Sequence, residues 1–120
     1  MIIAGFGFRS GATAESLADA FDQARGDRAV SGVATAGDKA VTATFAEFAR
    51  ALGLPIHPID AAALEGQETA TRSKASEAAR GTGSVAEAAA LAAAGVNARL
   101  IVPRVVSRDG WATCALAEGT

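Results

Sequence analysis

Apolar positions along this chain fall into short runs whose period switches between that of a strand and that of a helix. Met1-Ile2-Ile3-Ala4 is a continuous apolar run, the pattern of a short buried strand. It feeds a glycine-rich segment, Gly5-Phe6-Gly7-Phe8-Arg9-Ser10-Gly11, which is expected to be a loop. From Thr13 or Ala14 to about Gly26 the spacing becomes helical, with Leu17, Ala18, Phe21 and Ala24 on one face. Ala29 to Thr35 predicts a second strand, and Ala36-Gly37-Asp38-Lys39 a turn after it. Thr44 and Glu47 have the spacing of a capping box. The helix they open carries Phe45, Phe48, Ala49 and Leu52 as its buried stripe, and Gly53 and Pro55 end it.

Ile56-His57-Pro58-Ile59 reads as a third strand, placed at a sheet edge or a strand end because Pro58 has no N–H to donate. Asp60 caps a short helix through Leu64 or Glu65. Gly66 to Lys74 is polar and has no apolar period, so it is expected to be an exposed, mobile loop. Ser84 and Glu87 repeat the capping-box spacing before an alanine-rich helix (Val85, Ala88, Ala89, Leu91, Ala92) that stops at Gly95. Two β-like runs, Ala98 to Val106 and Trp111 to Ala117, flank Ser107-Arg108-Asp109-Gly110, a hairpin signal. Strands alternating with helices and then a hairpin predict an α/β fold, a three-layer α/β/α arrangement whose mixed sheet ends in that hairpin.

A length of 120 residues with 50% hydrophobic content suits a single domain spanning residues 1–120. Eleven basic and 13 acidic residues give a net charge of −2, and they are mixed along the chain, so no footprint for nucleic acid or an anionic membrane surface exists. The apolar start is too short for a signal-peptide core or a membrane span, and the expected location is cytoplasmic. The single cysteine, Cys114, lies in an apolar run as a small buried side chain would, and the single histidine, His57, reads as packing. One His and one Cys make no metal cluster and no nucleophile paired with a base, so neither a metal nor a cofactor is expected.

What stands out chemically is the pair of small-residue segments, Gly5 to Gly11 and Gly81 to Glu87, each just before a predicted helix. Glycine lets a ligand approach the backbone, and a helix N-terminus offers free N–H groups to negative charge, so the two together suggest one anion site. Neither is a nucleotide fingerprint. Ser10 occupies the position of the third glycine of a dinucleotide loop, and no lysine follows Gly11 as a P-loop requires. Arg9 has the planar fork that matches a carboxylate or phosphate, and Lys39 follows the second strand at the same rim; each also reads as a solvated surface cation. Glu87 and Lys39 are the candidate acid and base, although the capping box with Ser84 also accounts for Glu87.

Taken in order, four blocks are more specific than their parts: Gly5 to Gly11, Ala34-Thr35 with Lys39, Phe48 to Pro55, and Gly81 to Leu91. Their succession resembles the cobalamin-biosynthesis family that comprises CobE and the C-terminal domain of CbiG, over Ile2 to Ala117. The resemblance implies an α/β/α domain acting on corrin-ring precursors of vitamin B12. CbiG, a longer protein, opens the ring A lactone of a cobalt-precorrin, and this chain looks like the stand-alone CobE form because its first strand follows Met1 at once. Phe8 replaces the cysteine usual in the family's first block, and Ala40 to Thr44 replace the glutamate usual after the lysine.

The implied ligand, a precorrin or corrinoid intermediate, is a largely apolar macrocycle fringed with carboxylates, the same anion character that the glycine segments suggest. The expected binding rim comprises Gly5, Phe6, Gly7, Arg9, Ser10, Gly11, Thr35, Lys39, Thr82, Gly83, Ser84 and Glu87. Three functions fit: a carrier of such an intermediate, a hydrolase or lyase acting on it through Lys39 and Glu87, or an assembly subunit docking on another cobalamin-pathway enzyme through Gln67 to Lys74.

Overall fold

A computed structural model describes residues 1–119. Its five-stranded sheet has the order β3-β2-β1-β5-β4, formed by β1 (Ile2–Phe8), β2 (Gly32–Ala36), β3 (Ile56–Ile59), β4 (Arg99–Val106) and β5 (Ala112–Glu118). β1, β2 and β3 pair in parallel; β5 runs antiparallel to both β1 and β4. The helices are α1 (Ala14–Arg25), α2 (Gly37–Ala40), α3 (Ala43–Leu52), α4 (Ala61–Glu65), α5 (Lys74–Arg80) and α6 (Val85–Ala94). This is the mixed α/β/α arrangement expected, with the C-terminal hairpin in place.

The two faces of the sheet are packed by different chemistry. Ala4 and Phe6 of β1, with Cys114 and Leu116 of β5, point to α1 and α3. All five phenylalanines meet on this side. Phe6 lies 5.1–6.2 Å from the rings of Phe21, Phe45 and Phe48, and Phe8 stacks on Phe45 at 5.7 Å. Such pairs contribute about 0.5–1.5 kcal/mol each beyond the area they bury. The opposite face is alanine-rich, with Ala88, Ala89, Ala90 and Ala94 of α6 against Ile3, Ala34 and Ala117. Small side chains on both partners bring the helix close. A Cβ added at Gly5 would lie 2.0 Å from the carbonyl oxygen of Ala86 and 2.5 Å from the nitrogen of Ala90. Gly5 is therefore the contact point that lets the α6 backbone rest directly on the central strand.

Several boundaries differ from the expectation. β1 continues to Phe8, so Gly5, Phe6 and Gly7 are strand residues paired with β5, not loop residues. Glycine reads as a breaker in sequence, whereas here it accommodates α6. β2 begins at Gly32, and the expected turn after it is one turn of helix, α2. The cap of α3 is Thr42, whose hydroxyl accepts from the Phe45 N–H, and Thr44 lies inside the first turn; Leu52 is exposed. α5 has no counterpart in the sequence reading, because it buries no residue and so shows no apolar stripe. The helix start at Thr13–Ala14, the caps at Asp60 and Ser84 and the edge position of Pro58 are as expected.

Ser84 accepts from the Glu87 N–H, but the Glu87 carboxyl does not return to close a capping box. It is fully buried and ties three separate segments together. One oxygen accepts from the Thr71 N–H at 2.8 Å; the other accepts from the Thr71 hydroxyl and the Arg104 N–H, both at 2.8 Å. Arg104 is free for this bond because β4 slips register against β5 between Val102 and Val105, around Pro103. The segment expected to be a mobile loop is thus anchored at Thr71.

Two outcomes are expected. In Gly5→Val the new side chain meets α6 backbone rather than a movable side chain, so urea denaturation will show destabilisation of about 3 kcal/mol or more; a change under about 0.5 kcal/mol contradicts the contact. Glu87→Ala leaves two part-buried backbone donors, the Thr71 and Arg104 N–H groups, without an acceptor, which costs on the order of 3 kcal/mol. Hydrogen exchange should then accelerate at the Thr71 and Arg104 amides, and unchanged protection there contradicts the tie.

Candidate functional site

A cleft of about 470 Å³ opens beyond the carboxyl ends of β1 and β2. The topology puts it there. From β1 the chain crosses through α1 on one face to β2, whereas β4 is reached through α6 on the other face, so the connections diverge at β1. Such divergence leaves a crevice at the strand ends, and its volume falls in the range of roughly 300–1,000 Å³ of small-molecule sites. α5 and the N-terminus of α6 form one wall and the β4–β5 turn another.

Phe8, Val85 and Trp111 make the lining partly apolar, and Arg9, Lys39, Arg80 and Arg104 bring four cations to it. The cations are held differently. The Arg9 guanidinium lies 5.9 Å from the centre of the Trp111 ring, and the Lys39 ammonium 5.2 Å from that of Phe8. An aromatic face steadies a cation by about 0.5–1 kcal/mol without cancelling its charge. Among the described residues, Arg9, Lys39 and Arg104 make no ion pair. Arg80 does, donating to both oxygens of Asp38 at 2.6 and 2.9 Å. These bonds hold the Asp38 carboxyl below its ordinary range and raise the Arg80 guanidinium above its own. The N-terminus of α6, with Ser84 as its cap, adds partial positive potential to the same wall.

Trp111 owes its position to the turn before it. The Asp109 carboxylate accepts from the Ser107 hydroxyl, from the Trp111 N–H at 3.0 Å and from the Ser16 hydroxyl of α1 at 2.6 Å. These bonds keep Asp109 below the usual carboxylate range and fasten the hairpin to α1.

Of the residues expected at the rim, Gly7, Arg9, Thr35, Lys39 and Ser84 line this cleft. Thr35 is fully buried and spends its hydroxyl proton on the Phe6 carbonyl at 2.8 Å, so it is a wall rather than a donor. Gly5 and Phe6 lie inside the sheet. Ser10 and Gly11 are exposed in the turn after β1, where Gly11 lies against the Trp111 ring. Thr82 and Gly83 border a separate, polar concavity of about 340 Å³ with Glu65 and Arg72. Glu87 stands behind the wall, engaged as described. The sequence reading did not single out Arg80, Arg104, Ser76 or, as a site residue, Trp111. For Arg104 a signal existed: a lone charge in the apolar run Leu100 to Val106.

Burial of Cys114 in the aromatic face pushes its thiol well up, leaving it unreactive, and no group of three or more metal-ligating His, Cys, Asp or Glu residues forms among the described residues. None of the described helices is long and apolar enough to cross a membrane.

Comparison with known proteins gives a consistent result. No curated protein matches the sequence. Among solved structures, CobE, a protein from the cobalamin (vitamin B12) biosynthetic pathway, superposes with a TM-score of 0.87 at 30% identity, over 98% of this chain and 89% of that one. The cobalamin biosynthesis protein chiG from Agrobacterium tumefaciens str. C58 is similar at 34% identity and a TM-score of 0.77, over 100% of this chain and 99% of that one. A putative cobalamin biosynthesis protein G homolog from Sulfolobus solfataricus shares the fold, with a TM-score of 0.69 at 20% identity; 97% of this chain covers 36% of that one. The family described as cobalamin synthesis G C-terminus matches residues 2–117, and with two relatives at 30% identity or above the chain belongs to that family of cobalamin-biosynthesis proteins.

Proposed function

We propose that this chain is a cytoplasmic, one-domain protein that binds a precorrin or corrinoid intermediate in the cleft and carries it between enzymes of the pathway. The observation that supports this most is the set of three cations, Arg9, Lys39 and Arg104, that make no ion pair among the described residues and are arranged around an apolar surface of Phe8, Val85 and Trp111. A corrin macrocycle presents the complementary pattern, a broad apolar ring with acetate and propionate groups at its edge. The ring would lie against the aromatic wall while its carboxylates meet the cations. Each charge-assisted contact contributes about 1.5–3 kcal/mol, so several together hold a reactive intermediate firmly.

Two features favour carriage over the hydrolase or lyase reading and over docking. Glu87, the expected partner of Lys39 in acid–base work, is fully buried outside the cleft lining, and its carboxyl is taken up by three hydrogen bonds. The Gln67 to Lys74 segment is tied down at Thr71 rather than free to engage another enzyme.

Purified protein mixed with hydrogenobyrinic acid and passed through gel filtration tests the reading. Stoichiometric retention with an unchanged absorbance spectrum is expected, and Arg9→Ala, Lys39→Ala and Arg104→Ala should each weaken binding by about 10-fold or more. A spectrum altered by the protein would point to chemistry on the ring instead, and absence of retention, or retention indifferent to all three substitutions, would contradict binding at this cleft.

A further inference from the structure

Helix α5 is an unusual wall. None of its residues is buried, yet Ala75, Ser76, Ala79 and Arg80 present one face to the cleft. Ser76 and Arg80 are four residues apart, one helical turn, so their polar groups share that face. The Ser76 hydroxyl oxygen is shielded from solvent and has no hydrogen-bond partner among the described residues. Arg80 has one: both arms of its guanidinium grip the carboxylate of Asp38, which stands on α2 across 42 residues of chain. This fork-on-carboxylate geometry is the one by which arginine recognises any carboxylate.

Resting on the corrinoid-binding reading, we propose that Arg80 and Ser76 form a carboxylate subsite of the cleft, that Asp38 fills the arginine fork in the free protein, and that an ionised acetate or propionate of the ligand replaces it. Exchange is feasible because the pair is open to solvent on its Asp38 side. The Asp38 side chain is 65% exposed and that of Arg80 28%, so water can take over the released Asp38 carboxylate while the guanidinium keeps a carboxylate partner. Replacing one carboxylate by another conserves the hydrogen bonds on Arg80, while Asp38 regains full hydration at the rim. The Ser76 hydroxyl is shielded and unpartnered, and rotation about its Cα–Cβ bond turns it toward the incoming carboxylate as a donor that Asp38 leaves unused. The exchange also selects. A neutral amide at the same place on a macrocycle accepts less strongly from the guanidinium and cannot displace a charged carboxylate, so the subsite favours ligands whose peripheral acid at that position is still free.

The inference is tested by titrating wild type, Asp38→Asn, Arg80→Gln and the double variant with hydrogenobyrinic acid at one ionic strength. Removing the internal competitor should tighten binding by about 2- to 5-fold in Asp38→Asn. Arg80→Gln should weaken it by about 10-fold. In the Arg80→Gln background the Asp38→Asn gain should vanish, which separates competition for the fork from a general loss of negative charge. Weaker or unchanged binding in Asp38→Asn, or a gain that persists without Arg80, overturns the subsite. If neither wild type nor Asp38→Asn binds, the carrier reading fails and the subsite with it, whereas binding by wild type that Asp38→Asn leaves unchanged or weakens overturns the subsite alone.

Discussion

The close seating of α6 on β1 is the constraint on which the rest of this molecule depends. It exists because Gly5 has no side chain and because Ala86 and Ala90 add almost none. With the helix backbone resting on the central strand, the N-terminus of α6 arrives at the carboxyl end of β1, where Ser84 and Val85 become part of the cleft wall. The same seating brings Glu87 into a fully buried position from which its carboxyl reaches both the segment before α5 and the bulged part of β4. One contact between small residues thus orients three elements that border the site.

The opposite face of the sheet solves a different problem. Five phenylalanines from β1, α1 and α3 fill it, and they extend to the mouth of the cleft at Phe8, whose ring stacks on Phe45 while carrying the Lys39 ammonium near its centroid. The aromatic core therefore continues into the site as a rigid apolar surface. Cations steadied by aromatic rings keep their charge, whereas the Arg80–Asp38 pair is neutral and breakable. A cleft with an apolar wall, three uncompensated cations and one exchangeable ion pair is chemically matched to a large ring bearing several carboxylates.

Much of this was legible in sequence wherever the signal is local. Thr13, Asp60 and Ser84 announced helix starts, Pro58 marked an edge strand, and Asp109-Gly110 marked the hairpin, since each of these acts on its own neighbours in the chain. The misreadings arose where a residue answers to something distant. Gly5 and Gly7 looked like a loop because the helix they accommodate lies some 80 residues later in sequence, and Glu87 looked like half of a capping box because Thr71 and Arg104 are its partners only after folding. α5 was invisible because a helix with no buried side chain has no apolar period. Arg9 stands out in sequence as a planar fork among glycines and Lys39 by its position after the second strand, and both line the cleft, while Arg80 and Arg104 enter it through a helix and a bulge that periodicity does not reveal.

The most direct measurement is a crystal structure of the protein with hydrogenobyrinic acid. The macrocycle should lie against Phe8, Val85 and Trp111 with its carboxylates within hydrogen-bonding distance of Arg9, Lys39 and Arg104. A ring bound elsewhere, such as at the polar concavity beside Glu65 and Gly83, would contradict the proposal that a corrinoid binds in this cleft.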